Sequence, residues 1–404
     1  MVPSKLNVTR SLPLAVLTQG PTKVGTLTPA SSRQPTLNEG SISSLKERLG
    51  ARIRRKGPIS FHEWMQAALY DKREGYYCRS DLDRQGRQGD YRTAPETSPL
   101  FAAAFARYFA KLFTELGSPS LWTILEAGAG SGEFARGVLR SLKSNYPDVF
   151  SATRYVIDEF SRDCQARAAL RLAEFSDRVE FLRIAEVAEP TANLIIFSNE
   201  LIDAFAVHRV TFRHGKLREL CVGLDKTNFV WLECEPDERV VKYCQSQGLN
   251  LAENQIAEIN LDAEDFIPRA ASMIESGFLI TVDYGAERSE LLSDPQRHRG
   301  TLRAFHRHQM IDDVLAKPGE YDLTTTVDWT QIKEAGKRAG LQTVRHESLN
   351  RFLLDEGLLD EITRLVGTHQ SDAHALQIST SAREMIMPHG MASSFQVLVQ
   401  AKSA

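Results

Sequence analysis

The chain has 404 residues, 42% of them hydrophobic and 25% charged, with 49 Lys and Arg against 52 Asp and Glu. At roughly 100–200 residues per domain, that length holds two or three domains or one elaborated α/β domain, and the composition excludes wholesale disorder. A formal net charge of −3 gives no bulk attraction to nucleic acid or anionic membranes, and no run approaches the roughly 18 apolar residues of a membrane span.

Residues 1–38 contain no acid, four basic residues, ten Ser or Thr and five of the 16 prolines. Such a stretch buries too little apolar surface to offset its ordering entropy, so residues 1–43 read as a flexible tail. Its acid-free composition also resembles an organellar transit peptide. Order is expected from Ser44, where Ser44 and Glu47 have capping-box spacing. A second box, Ser60 and Glu63, opens a helix with Phe61, Trp64, Met65, Ala68 and Leu69 on one face. A charged, Gly-rich loop covers residues 75–98. Ser98-Pro99 then starts a long helix carrying Leu100, Phe101, Phe105, Phe109, Leu112 and Leu116, closed by Gly117.

Strand and helix alternate from there. Residues 122–125, 155–157, 194–197 and 278–282 are apolar strand candidates. Each ends in a polar or Gly-rich cluster, and open parallel sheets bind ligands beyond the carboxyl ends of their strands. Residues 207–234 read as hairpins with His214-Gly215 as a turn, and 341–346 and 395–400 as late strands. The stretch between Gly285 and Trp329 lacks periodicity and reads as a long functional insertion.

Five scattered cysteines, Cys78, Cys164, Cys221, Cys234 and Cys244, include no C-x-x-C pair. That speaks against a disulfide framework or zinc site and for a reducing compartment. The expected location is therefore cytoplasmic, or the mitochondrial matrix for a eukaryotic chain. His306-Arg307-His308 would put two imidazoles on one strand face, half of a metal site. Nothing nearby completes it, so no metal is expected. The basic residues between Arg297 and His308 read as a solvated loop, and nucleic-acid binding is not expected.

The sharpest motif is Glu126-Ala127-Gly128-Ala129-Gly130-Ser131-Gly132. Glycines let the backbone turn tightly and approach a ligand, and the next helix offers free N–H groups and positive potential. A dinucleotide pyrophosphate or the carboxylate of S-adenosylmethionine (SAM) could use such a turn. Dinucleotide folds space the glycines G-x-G-x-x-G, whereas here the third follows after one residue, with an acid two residues before the first. That pattern is similar to class I methyltransferases. Glu159, 27 residues past Gly132, can accept both hydroxyls of a ribose, with Asp158 as its local competitor. Asn199, Glu200 and Asp203 follow the strand that faces the transferable methyl, and paired acids with an amide suit a cationic acceptor such as a guanidinium. Asn199 could equally cap the next helix.

Together these residues resemble the class I SAM-dependent methyltransferases that include the mitochondrial complex I assembly-factor protein arginine methyltransferase and its bacterial relatives. The resemblance runs from about Arg48 to the C-terminus. It is carried by Gly57-Pro58-Ile59-Ser60-Phe61, Gly75-Tyr76-Tyr77 and residues 89–96 (Gly-Asp-Tyr-Arg-Thr-Ala-Pro-Glu). It continues through the Gly-rich turn, Glu159-Phe160-Ser161, Asn199-Glu200 with Asp203-Ala204, Asp283-Tyr284-Gly285, Gly300-Thr301-Leu302-Arg303 and Asp322-Leu323-Thr324. Departures are Gly-Ala-Gly-Ser-Gly for the usual Gly-Pro-Gly-Arg-Gly, Ala206 for Pro, Thr326 for His and Leu349 for Gln.

The resemblance implies an α/β fold, a Rossmann-like seven-stranded core with an N-terminal helical segment and insertions. The expected division is a tail at 1–43, a helical segment covering the site at 44–118, and a core at 119–404 with insertions at about 207–265 and 286–329. SAM would be the cofactor, bound by Glu126, Gly128, Gly130, Gly132 and Glu159, with Thr93 by resemblance. Asn199, Glu200 and Asp203, with Asp90 by resemblance, would orient the acceptor, and Asp283 and Tyr284 would line the far side of the cleft. The implied acceptor is a protein arginine, with a respiratory-chain subunit as the implied candidate. The alternatives are an assembly or chaperone factor that keeps the fold without efficient methyl transfer, and an NAD-dependent oxidoreductase.

Overall fold

The structure, a computed structural model, describes residues 43–79, 99–187, 189–307, 309–368, 380, 382–383, 385–387 and 394–403. Helix α1 (Leu45–Lys56) opens on the expected box: Ser44 Oγ accepts from the Glu47 N–H while Glu47 accepts from the Ser44 N–H. Strand β1 (Ile59–Ser60) leads into α2 (Phe61–Tyr70), where Ser60 caps the Glu63 N–H at 3.0 Å. The reciprocal half of this second box is missing, because the Glu63 carboxylate turns to Arg52 at 2.9 Å. Helix α3 (Pro99–Glu115) ends where Gly117, at φ 81°, lets the Ser118 N–H reach the Phe113 carbonyl. Ser98, and with it the proposed N-cap, lies outside the described residues.

The alternation then runs β2 (Trp122–Ala127), α4 (Glu133–Asn145), α5 (Pro147–Ala152), β3 (Thr153–Asp158), α6 (Arg162–Arg171), β4 (Val179–Phe181) and β5 (Thr191–Asn199). Three antiparallel strands follow: β6 (His208–Arg213), β7 (Lys216–Asp225) and β8 (Asn228–Cys234). Their first turn is His214-Gly215, both at positive φ as a tight hairpin requires. Next come α7 (Glu238–Ser246), β9 (Ile256–Ile259), α8 (Leu261–Met273) and the long β10 (Ile274–Ala286). The stretch that lacked periodicity contains α9 (Arg288–Ser293), β11 (Arg303–His306), β12 (Gln309–Met310), β13 (Asp322–Thr324) and β14 (Val327–Asp328). Strands of two to four residues are too short to show a period. The chain closes with α10 (Trp329–Arg338), β15 (Gln342–Ser348), α11 (Leu349–Asp355), α12 (Leu358–Thr368) and β16 (Phe395–Lys402).

Seven strands form the central sheet in the order β4-β3-β2-β5-β10-β16-β15, with the two-residue β14 beside the end of β10. Strand β16 is antiparallel to both neighbours, and the other pairs are parallel. The order reverses between β2 and β5, which opens a crevice beyond their carboxyl ends. Alternation along β5 divides its side chains between two layers. Ile195 and Phe197 face α3, α4 and α11, where Phe197 stacks on Phe134 at 4.3 Å and meets Phe105 at 5.1 Å. Leu194 and Ile196 face the opposite layer, with Ile267, Ala271, Trp329 and Ile332 of α8 and α10.

A second sheet joins β1, β7, β6 and β9, with β8 on β7, and a third is ordered β12-β11-β13. Helices α1 and α2 pack on both through Phe61, Trp64, Met65, Val222, Phe229 and Leu323. Strand β11 ends at His306, and Arg307 turns at φ 49°. His308, the other half of the histidine pair, lies outside the described residues. The basic stretch departs from a solvated loop, since Arg303 sits on β11 over the Tyr284 ring.

Phe197→Ala removes a fully buried ring packed against those of Phe105, Phe109 and Phe134, and should lower stability by about 3–5 kcal/mol in urea denaturation.

Candidate active site at the carboxyl ends of the strands

Strand β2 delivers the glycine turn. Gly128, Gly130 and Gly132 have φ of 75°, 53° and 77°, a region that side-chain-bearing residues rarely adopt. A Cβ on Gly128 would meet Leu201 Cδ1 at 2.9 Å, and one on Gly132 would meet Ala168 Cβ at 3.0 Å. Gly132 also precedes α4 without a side-chain cap, so its first N–H groups keep their capacity for an anion.

Glu126 lies inside the sheet below this turn and accepts the Tyr155 hydroxyl at 2.7 Å. Burial pushes its carboxyl up to about 8, against the Tyr155 hydrogen bond and with a further push from Glu159. At neutral pH it is therefore a neutral prop. Glu159 follows β3 directly. Its Oε2 accepts the Gly130 N–H at 2.8 Å and its Oε1 the Ser161 N–H at 2.7 Å. The competitor Asp158 is committed elsewhere, pairing with Arg183 at 3.0 Å and accepting the Ile184 N–H at 3.2 Å. Burial still raises its carboxyl to about 6, although Arg183 opposes the shift.

The ends of β5 and β10 meet over Asp283. Its Oδ2 accepts the N–H groups of Ile202 at 3.0 Å and Asp203 at 3.3 Å, and its Oδ1 accepts that of Tyr284 at 2.9 Å. Burial and the nearby Glu200 raise its carboxyl above the ordinary range. Glu200 turns at φ 51° while its N–H reaches the Val282 carbonyl at 2.9 Å, and Asn199 donates to Glu200 at 3.1 Å. No helix starts there, so Asn199 does not act as a helix cap. Asp203 is 4% exposed, and burial, then Asp283 and Asp322, hold its carboxyl well above the usual range.

Tyr70 and Tyr77, to which sequence reasoning gave no role, and Tyr284, expected on the far side of the cleft, complete the wall. The Tyr70 hydroxyl donates to the Ala204 carbonyl at 2.9 Å, while its ring meets Phe160 and Tyr77. The Tyr77 hydroxyl donates to Asp322 at 2.7 Å. Tyr284 lies close to Asp203 and Thr324, and the Arg303 guanidinium lies 5.2 Å from its ring centre. Tyr70 looked like the last residue of an amphipathic helix, and only its partners 134 residues away reveal more. Thus Glu126, the glycines, Glu159, Asn199, Glu200 and Asp203 converge on neighbouring strand ends. Asp90 and Thr93 lie outside the described residues. Among the described residues, no group of three or more His, Cys, Asp and Glu could hold a metal ion. No helix among them is long and apolar enough to cross a membrane.

A reversed seven-stranded order with a glycine turn and an acid after the next strand defines a class I SAM-dependent methyltransferase. The family model described as "Putative S-adenosyl-L-methionine-dependent methyltransferase" matches residues 104–346, and the chain belongs to that family. A Burkholderia thailandensis protein, solved bound to S-adenosyl-homocysteine, is similar at 29% identity and a TM-score of 0.79, covering 89% of this chain and 92% of that one. The mitochondrial protein arginine methyltransferase NDUFAF7 homolog of Drosophila melanogaster is 26% identical over 331 residues, 75% of this chain and 72% of the relative. The Danio rerio mitochondrial protein arginine methyltransferase NDUFAF7 is 25% identical over 377 residues, 87% and 86% of the two chains. The protein is a SAM-dependent methyltransferase, and the oxidoreductase alternative falls away.

Two measurements probe the site. Glu159→Ala should weaken S-adenosyl-homocysteine binding at least about tenfold in calorimetry, the scale of a lost charged hydrogen bond. Unchanged binding would remove Glu159 from the ribose. The folded protein holds the Glu126 proton up to about pH 8, whereas an unfolded glutamate releases it near about pH 4.3. The folded state therefore binds more protons in that window, and stability falls as pH rises through it. Glu126→Gln should remove Glu126's share of this fall and so flatten the profile, and parallel stability profiles for variant and wild type from about pH 5 to 8.5 would refute the buried proton.

Proposed function

We propose that the protein methylates an arginine side chain of a protein acceptor. The observation that carries this reading is the pair of buried carboxylates, Asp203 and Asp322, close to the Asn199-Glu200 turn at the end of β5, the neighbour of the strand that delivers the glycine motif. A guanidinium stays charged at any relevant pH and donates in a planar fork, so it suits acids held in a fixed geometry. The names of the Drosophila and Danio relatives point the same way.

In this reading Gly128, Gly130 and Gly132 cradle the methionyl end of SAM, Glu126 supports the turn from below, and Glu159 takes the ribose hydroxyls. The bound cofactor supplies an electrophilic methyl group on a sulfonium. Asn199, Glu200 and Asp203 hold the acceptor nitrogen in line with that methyl, and Asp90 joins them. Proximity and alignment then provide much of the acceleration. As the nitrogen–methyl bond forms and the sulfur–methyl bond breaks, the nitrogen gives up a proton to water or to Asp203. Residues 44–118 serve as a cover, a role supported by Tyr70 and Tyr77 reaching the strand ends. The relatives' mitochondrial names favour a mitochondrial setting, and the acceptor proposed for it is a respiratory-chain subunit. The five cysteines, none of them in a disulfide among the described residues, suit the cytoplasm or the matrix equally.

Lysate incubated with the protein and methyl-labelled SAM should yield methylarginine in a labelled protein identified by mass spectrometry. Tight SAM binding without incorporation would instead indicate an assembly factor, and loss of label after nuclease treatment would indicate an RNA acceptor.

A further inference from the structure

The cysteines have no part in the roles given so far, and two of them meet on the second sheet. Antiparallel register places Cys221 of β7 opposite Leu232 of β8, and Cys234 opposite Glu219. Side chains alternate along a strand, so Cys221 and Cys234 share one face as diagonal neighbours. The residues opposite them lean aside. Leu232 lies over Gly223, where it leaves no room for a Cβ. Glu219 turns to His208 of β6 at 2.7 Å and accepts the Asp237 N–H at 2.9 Å. The two thiols are left close to each other.

Their surroundings differ. Cys221 is 6% exposed, and burial first, then Cys234 and Glu219, push its thiol above the ordinary range. Cys234 is half-buried, the last residue of an edge strand that pairs with β7 alone among the described residues. A strand held on one side can adjust to the specific geometry that a disulfide requires. The other face of β8 carries Phe229 and Trp231, whose rings meet Trp64 and Phe61 of α2. The cysteine pair thus sits behind the surface on which the N-terminal helices rest.

We propose that Cys221 and Cys234 form a redox-active dithiol, which hydrogen peroxide converts to a disulfide joining β7 to β8. Cys234, the more accessible thiol, reacts first. Its sulfur takes one oxygen from the peroxide and becomes a sulfenic acid, while the peroxide is reduced to water. The Cys221 sulfur then attacks the Cys234 sulfur. The sulfur–sulfur bond forms, the sulfur–oxygen bond breaks, and the hydroxide leaves with the Cys221 proton as water. A thiol reductant restores both thiols. The bond fastens the edge strand beneath α2, and in a reducing compartment the pair stays open until peroxide rises.

The test treats the reduced full chain with hydrogen peroxide, blocks the remaining thiols with iodoacetamide and digests with trypsin without reductant. Cleavage after Arg218, Lys226 and Arg239 separates the two cysteines, so the disulfide should appear as peptide 219–226 joined to peptide 227–239. Dithiothreitol should abolish that species. It is read in wild type and needs no variant to fold. Dimedone, which traps sulfenic acids, should label Cys234 at least about tenfold more in Cys221→Ser than in wild type, because the intermediate has lost its partner. Cys221 should stay unlabelled in Cys234→Ser. Amide hydrogen exchange across residues 228–234 should slow several-fold on oxidation of wild type and not of Cys221→Ser. Both cysteines alkylated after peroxide, either one joined to another cysteine or to a second molecule, or equal dimedone labelling in wild type and Cys221→Ser, overturns the proposal.

Discussion

The arrangement of the cleft depends on one buried carboxylate. Asp283 is fully buried at the end of β10 and collects three backbone N–H groups, two from the segment after β5 and one from its own neighbour. A carboxyl in such a position is costly unless those donors are present. Meeting that requirement ties the β5 exit to β10 and sets the direction in which Asp203 leaves the sheet. Glu200 pays for the geometry with a left-handed backbone at φ 51°, which few non-glycine residues tolerate.

Around that junction the fold assembles the site from distant segments. The glycine turn and Glu159 come from one half of the sheet, and the Gly130 N–H on the Glu159 carboxylate joins them before any ligand is considered. Asp283 and Tyr284 come from the other half, across the point where strand order reverses. The smaller sheets and α2 then add Tyr70, Tyr77 and Asp322 above the strand ends. Rigid strands thus carry the acids and the glycine turn, while the walls arrive from elements packed over them.

Charge and burial explain why the acids differ in character. Asp158 and Glu159 are adjacent in sequence, yet Asp158 is spent on Arg183 and Ile184 while Glu159 lies against the glycine turn. Glu126 is so deeply buried that it is neutral at physiological pH. The net charge of −3 conceals acids gathered at the strand ends and arginines such as Arg154, Arg167 and Arg171 paired with acids away from them.

Local pattern was enough for much of the architecture. The helix caps at Ser44, the apolar strand cores and the His214-Gly215 turn depend on residues close in sequence, whose steric and hydrogen-bonding preferences act without the rest of the chain. The glycine motif and the acid after β3 were legible for the same reason. Strands β4, β9 and β11 to β14 were not, since two to four residues carry no period. The failed half-box at Ser60 shows the limit of local rules, because Arg52 competes for Glu63. By itself, then, the sequence determined the strand–helix alternation, the methyltransferase turn and the acids available for chemistry. Only tertiary structure decided which acid faces the turn, which is neutral, and that Tyr77 and Asp322 meet across 245 residues. Burial and pairing are properties of neighbours in space, and no local pattern encodes them.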